Sequence, residues 1–161
     1  MPIVVKPADR NHVISMARIR ARRWETEAYW IDRISRYLAG EHHPQHALAT
    51  RAAFVAEEGT KIVGFVAGHR TRRYGCDGEL EWIDVVEEQR RRGIAGSLLE
   101  TMAAWFVEQN ALRICVDVVP ENAVARALYA RHGAVPLNKH WMVWEDARCI
   151  NHDGSGIEIG H

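Results

Sequence analysis

The segment Val85-Val-Glu-Glu-Gln-Arg90-Arg-Arg-Gly93-Ile-Ala95-Gly96 restricts the fold more than any other. Before and into it, residues 79–86 alternate as a strand. Strict alternation places Leu80, Trp82, Asp84 and Val86 on one face and Glu79, Glu81, Ile83 and Val85 on the other. After the turn, Ile94, Leu98, Met102, Trp105 and Phe106 stripe one side of a helix over residues 94–107. A strand that feeds a helix through so short a turn belongs to a layered α/β or α+β structure. The turn offers successive backbone N–H groups with a helix N-terminus behind them, a cradle suited to phosphate. Gly93, Ala95 and Gly96 are small enough to let a pyrophosphate approach the backbone, and three adjacent arginines can add charge-assisted contacts. The Walker spacing is absent, and the GxGxxG pattern fails because Arg91 stands where its first glycine belongs. The plainer alternative is a solvated basic turn that caps a helix.

The remainder of the chain reads as β, helices, β-hairpin, β, α, β, α, β. Residues 3–5 are a short β-branched strand. Asp9 opens a helical segment with Val13, Ile14, Met16, Ala17 and Ile19 in rough period, expected to run to about residue 30. A second helical piece, residues 31–38, stops at Gly40. Residues 41–46 form a polar loop interrupted by Pro44. Residues 52–56 and 62–67 are β-rich runs joined as a hairpin, and 71–78 is a loop or strand end. Residues 112–118 read as a strand buried on both sides. A helix over 122–132 carries Ala125, Leu128, Tyr129 and His132 on one face and stops at Gly133. Residues 141–144 close the sheet, giving one domain over 1–146 and a loose tail over 147–161.

Composition narrows the class. A chain of 161 residues suits one domain, and 21 Lys+Arg against 21 Asp+Glu leaves no net charge. That balance removes the broad attraction that non-specific nucleic-acid binding needs. Eighteen of the 21 basic residues are Arg, so a functional cation here is expected to be a forked donor. No apolar run reaches the roughly 20 residues of a membrane span, and the N-terminus does not read as a signal peptide. Cys76, Cys115 and Cys149 lack CxxC spacing, so neither a disulfide framework nor a structural zinc site is indicated. The expectation is a cytoplasmic globular domain, with no membrane or nucleic-acid partner.

Two motifs carry a family resemblance. Arg90-x-x-Gly93-x-Ala95 resembles the Q/R-x-x-G-x-G/A signature of the GNAT superfamily of acyl-CoA N-acyltransferases. Val85, five residues earlier, falls where that family has a valine on its fourth strand. Downstream, Asn122-x-x-Ala125-x-x-Leu128-Tyr129-x-x-x-Gly133-Ala134 is similar to the family's N-x-x-A-x-x-L-Y-x-x-x-G-F. Ala95 is an allowed variant of the commoner glycine; Ala134 replaces the usual Phe and removes one core aromatic. The detailed match covers residues 78–134, and the earlier elements follow the family order more loosely.

The resemblance implies a mixed, mostly antiparallel central sheet flanked by helices, with splayed fourth and fifth strands. It implies acetyl-CoA as co-substrate, its pyrophosphate held by Arg90, Arg91, Arg92, Gly93, Ala95, Gly96 and Ser97. The pantetheine arm would lie in the splay and pair with the main chain of Ile83 and Val85 like an added strand. An alkyl amine of pKa ~10 is mostly protonated at neutral pH and needs a base. The family often draws that base from the fourth strand, nine or eleven residues before the signature arginine, which here gives Glu81 and Glu79. Glu81 is preferred as nearer the acyl carbon; either carboxylate can also be read as a solvent-facing strand residue. Tyr129 fits the family's acid for the leaving thiolate, or else a core aromatic at helical spacing. Asn122 reads as a helix cap that in the family often also touches the cofactor.

Other constellations are weaker. His42, His43 and His46 suggest metal, but Pro44 breaks helical spacing and no carboxylate completes a site, so no metal is expected. Cys115 reads as a buried small hydrophobe. Trp24, Tyr29 and Trp30, with Arg22, Arg23, Arg33 and Arg36 nearby, lie where the family builds an acceptor wall, and packing alone also accounts for the aromatics. The resemblance thus implies an N-acetyltransferase, with a small-molecule primary amine as the expected acceptor. Its rivals are a protein lysine or N-terminal acetyltransferase and a non-catalytic acyl-CoA sensor. Because the family is often dimeric, a homodimer stays open.

Overall fold

The structure is a computed structural model that describes residues 2–89, 92–150 and 158–159. Its regular elements are β1 (Ile3–Pro7), α1 (Val13–Ala21), α2 (Glu27–Leu38), β2 (Ala47–Glu58), β3 (Lys61–Thr71) and β4 (Gly78–Val85). These are followed by α3 (Ile94–Glu108), β5 (Ile114–Asp117), α4 (Ala123–Arg131), β6 (Val135–Pro136), β7 (Trp141–Trp144) and β8 (Glu158–Ile159). The strands form one sheet in the order β6-β7-β5-β4-β3-β2-β1-β8. Only β4–β5 and β1–β8 run parallel; the other neighbours are antiparallel. This is the mixed, mostly antiparallel sheet with flanking helices that the resemblance implied.

Local chemistry sets the element ends. The helix expected to run unbroken to residue 30 stops at Ala21, because Glu25 takes a positive φ of 63° and Thr26 restarts the chain. The Thr26 hydroxyl accepts from the Tyr29 N–H at 3.1 Å and caps α2, whose Trp30, Ile34 and Tyr37 form its buried stripe. Asp9 caps a single 3-10 turn, Arg10–His12, rather than α1 itself. The hairpin between β2 and β3 turns on Gly59-Thr60, with Gly59 at φ 64°. Both strands outrun the apolar segments expected at 52–56 and 62–67, since main-chain pairing continues between Ala47 and Thr71 at one end and Glu58 and Lys61 at the other. β6, a two-residue strand beside β7, was not anticipated.

The tail expectation is corrected. Ala147 and Ile150 are buried in the main core, and Glu158–Ile159 pairs in parallel with β1. The packed body therefore extends past residue 146, held by apolar contacts too sparse to show as a period.

α3 lies across β2, β3 and β4 on one face of the sheet, seated by small residues beneath it. A Cβ at Gly78 would stand 2.5 Å from the Phe106 ring, and one at Gly68 2.9 Å from the same ring. Gly78→Ala should destabilise the protein by about 1–3 kcal/mol, the usual range for overpacking. A lower urea midpoint at unchanged slope is the expected reading; an unaltered midpoint would show that Phe106 yields freely.

Two irregularities of β4 shape the site. Pairing with β5 covers only Gly78↔Ile114, Glu79↔Cys115 and Leu80↔Val116, so the β5-facing edge from Glu81 to Val85 has no β5 partner among the described residues. Pairing with β3 passes from Gly68↔Leu80 to Ala67↔Trp82 and leaves Glu81 as an extra, bulged residue. The bulge resets the alternation, which corrects the expected faces. Trp82 and Asp84 join Glu79 and Glu81 on the side of α1 and α2, whereas Val85 meets Leu98 of α3.

Candidate active site

The end of β4 leads into a 3-10 turn, Glu87–Gln89, and then to Gly93, whose φ of 78° lets the chain swing into α3. Arg90 and Arg91 lie outside the described residues. Arg92 bonds Glu58 at 2.7 Å and also the Gln89 side chain, so it ties the turn to the end of β2. Ala95 is half-buried, while Gly96 and Ser97 are buried in the first turn of α3. Asn122 caps α4, its side-chain oxygen accepting from the Ala125 N–H at 3.1 Å.

Glu79 and Glu81 share the α1–α2 side of β4 and flank His69 of β3. His69 Nε2 is 3.8 Å from Glu79, and Nδ1 is 3.8 Å from Glu81. His69 is fully buried and shares a 2.9 Å hydrogen bond with the Tyr37 hydroxyl. Burial, with Arg51 and Arg73 adding to it, holds the imidazole neutral and lowers its pKa to about 3. Arg73 donates to Glu79 at 3.0 Å while lying over the Trp141 ring. Among the described residues Glu81 has no such bond; burial first and the neighbouring Glu79 second raise its carboxyl to about 7. Two carboxylates that the sequence separated only by their position along the strand are therefore chemically distinct. Glu79 is ion-paired, and Glu81 is poised to exchange a proton near neutrality.

Sequence reasoning missed His69, Asp84 and Arg20. His69 sits directly across from Glu79 in the β3–β4 register, which the sequence does not display. Asp84, almost wholly buried, takes both oxygens to Arg23 Nε at 2.9 and 3.0 Å and lies 3.6 Å from Arg20. Desolvation nevertheless raises its pKa, with both arginines opposing. Arg20 stacks on Trp30 at 4.5 Å and feels Asp84, Glu81 and Tyr129 together. Tyr129 is buried on α4, its ring edge-on to Trp144 at 5.4 Å. Burial pushes its hydroxyl well above the ordinary tyrosine value, which keeps the proton on the oxygen.

Trp24, Tyr29 and Trp30 do form one aromatic cluster, extended to β4 by Trp30 against Trp82 at 5.9 Å. Among the described residues, metal-ligand spacing occurs at His69, Glu79 and Glu81, whose donor atoms lie within 4.8 Å, and not in the 42–46 loop. In that loop Arg51 donates to His43 Nδ1 and to the His42 carbonyl, each at 2.7 Å. Cys115 is buried, as expected, in a small cluster with Cys76, Trp141 and Val143. A separate groove of about 1190 Å³, lined by Ile14, Ile31, Phe54 and Trp105 among others, reaches Arg51 but neither Glu79 nor Glu81. Among the described residues no helix is long and apolar enough to cross a membrane.

A parted strand pair that ends at a glycine-led helix, with ionisable groups along the gap, suits a phosphate-bearing acyl carrier laid beside a proton-transfer site. Comparison with known proteins places the molecule in that class. The model of the acetyltransferase (GNAT) family matches residues 13–134, and the chain belongs to that family of acyl-CoA-dependent acyltransferases. No curated protein sequence matches it significantly. Solved structures share its fold. A GNAT-family protein from Desulfovibrio desulfuricans superposes with a TM-score of 0.74 at 13% identity, covering 90% of this chain and 99% of that one. PaiA N-acetyltransferase from Thermoplasma acidophilum, solved with coenzyme A, gives 0.65 at 13% identity over 89% and 98% of the two chains. An aminoglycoside 6'-N-acetyltransferase from Acinetobacter haemolyticus gives 0.70 at 20% identity over 84% and 92%.

Proposed function

We propose that this acetyltransferase moves the acetyl group of acetyl-CoA directly to a primary amine of a small molecule, with Glu81 as base and Tyr129 as acid. The observation that carries the reading is the Glu81 carboxyl, raised to about 7 beside the open edge of β4. The pyrophosphate would rest on the N–H groups at the start of α3, behind Gly93, with Arg90, Arg91 and Arg92 around it. The pantetheine arm would follow the edge of Ile83 and Val85 as an added strand.

In that pose ionised Glu81 removes a proton from the acceptor ammonium. The freed nitrogen lone pair then attacks the thioester carbonyl carbon. As the tetrahedral adduct collapses, the C–S bond breaks and the electron pair leaves on sulfur. The neutral Tyr129 hydroxyl donates its proton there, giving the free thiol; the former amine nitrogen sheds its second proton, which returns through solvent to the tyrosinate, and the neutral amide is left. The phenol is the weaker acid, since a thiol has a pKa near 8.5 against ~10 for tyrosine. Its role is thus to donate a hydrogen bond while sulfur gains charge and complete the transfer in the collapse.

Acetyl-CoA at about 100 times its Kd should stabilise the fold by roughly 2.7 kcal/mol, a rise of about 5–10 °C in Tm for a domain of this size. Differential scanning fluorimetry tests this, paired with a thiol-release assay over amines and peptides. No shift with acetyl-CoA or CoA, alongside a clear shift with NAD or a nucleotide, would remove the cradle. Binding without transfer to any amine or peptide would make the chain a sensor, and transfer to peptides alone would make it a protein acetyltransferase.

A further inference from the structure

Among the described residues, one cation that acts on Glu81 has no counter-ion. Helix α2 packs Trp30 and Tyr37 against Trp82 of β4, at ring separations of 5.9 and 5.0 Å. Arg33 lies three residues after the first and four before the second, so it shares their face of the helix. Its Nη1 donates to the Tyr29 hydroxyl at 3.2 Å, and its Nε is buried without a hydrogen-bond partner. No carboxylate lies within ion-pair distance of it among the described residues, yet it bears on Glu81 strongly enough to oppose the rise in that carboxyl's pKa.

The other cations around the carboxylates are engaged. Arg73 serves Glu79, and Arg20 and Arg23 serve Asp84. Arg51 is held by the carbonyls of Tyr37 and His42 and lies over the Tyr37 ring. A partly desolvated guanidinium without an anion is unfavourable, and its fork fits a carboxylate or phosphate. Glu81, whose charge it feels, has among the described residues only the neutral imidazole of His69 at 3.8 Å, and so suits an ammonium. Negative and positive ends thus stand side by side, the complement of a zwitterion.

We propose that Arg33 is an oxyanion subsite for the acceptor, so that the substrate is an amine that itself carries a carboxylate or phosphate rather than a polycation. This rests on the reading of Glu81 as the acceptor-side base. It separates this site from one built for an aminoglycoside, whose several ammonium groups the uncompensated Arg33 would repel.

The test uses matched amines: 4-aminobutyrate against butylamine, phosphoethanolamine against ethanolamine, and spermidine and an aminoglycoside as polycations. With wild type, at least one oxyanion-bearing amine should exceed its neutral partner by about 10- to 100-fold in kcat/KM, the range for one hydrogen bond to a charged group. In Arg33→Gln that ratio should fall to near one, mainly through KM, and Arg33→Lys should restore part of it. A CoA-induced rise in Tm confirms that each variant is folded. The carboxylate and phosphate pairs separate the two sources of oxyanion. Calorimetry of the same amines with the CoA-bound protein reads the preference without turnover, so loss of transfer with preference kept strikes only the transfer reading. Equal rates and affinities within each pair, a preference for polycations, or a ratio that survives in Arg33→Gln would overturn the subsite.

Discussion

Glu81→Gln should lower kcat/KM at neutral pH by about 10²–10⁴-fold, the usual contribution of a positioned general base. Gln keeps the shape at the bulge and cannot accept the proton. The pH profile gives the sharper reading. Burial and Glu79 raise the Glu81 carboxyl to about 7, so the ionised base is lost as pH falls through that value. Wild-type kcat/KM should therefore drop tenfold per unit below about pH 7 and level off above it, where ionised Glu81 meets an amine still carrying its proton. The variant depends on amine already free in solution, so its rate should climb tenfold per unit until the amine pKa near ~10. The fold difference between the two enzymes is then widest at and below about pH 7 and closes toward pH 10. A variant with the same plateau as wild type would exclude Glu81 as the base. Glu79 would not inherit the role readily, because Arg73 holds its carboxylate at 3.0 Å.

The other large effect belongs to the acid. Tyr129→Phe retains the ring packed edge-on against Trp144 and removes only the hydroxyl. Turnover should fall by about 10²-fold while the Kd of acetyl-CoA stays nearly unchanged, since the lost interaction acts as sulfur gains charge. Burial holds this hydroxyl protonated, so no limb of the wild-type profile below pH 9 should belong to it. Acceptors do not leave; the thiol does. Hence the loss should be the same for every amine tested, unlike the effects at Arg33. A variant with wild-type turnover would leave Tyr129 as a core aromatic only.

Much of this molecule is written locally. The strand–turn–helix segment, the glycine needed at φ 78°, the Asn122 cap and the two apolar helix stripes each depend on neighbours within a few residues. Such signals survive in a single sequence because propensity, capping and period act over one or two turns. The two motifs that carried the family resemblance are of this kind, and they correctly placed the fold. The helix break at residues 22–26 was also local, and Thr26 followed by Glu27 marks it. The apolar period on both sides simply outweighed that capping signal.

What only the tertiary structure decided is where pairing and burial join distant residues. The bulge at Glu81 arises because β3 and β4 must match across their whole length, and it brings Trp82 and Asp84 to the face of the carboxylates. His69 gains its place by strand register, and Arg20, Arg23 and Arg33 by the way two helices lie on the sheet. The distinction between Glu79 and Glu81 follows from Arg73 and from desolvation, neither of which has a sequence period. Sequence by itself determined the elements, the turn and the residue types available for chemistry. Their ionisation and their partners were set by folding, because charge energetics depend on distance and water exclusion in three dimensions rather than on spacing along the chain.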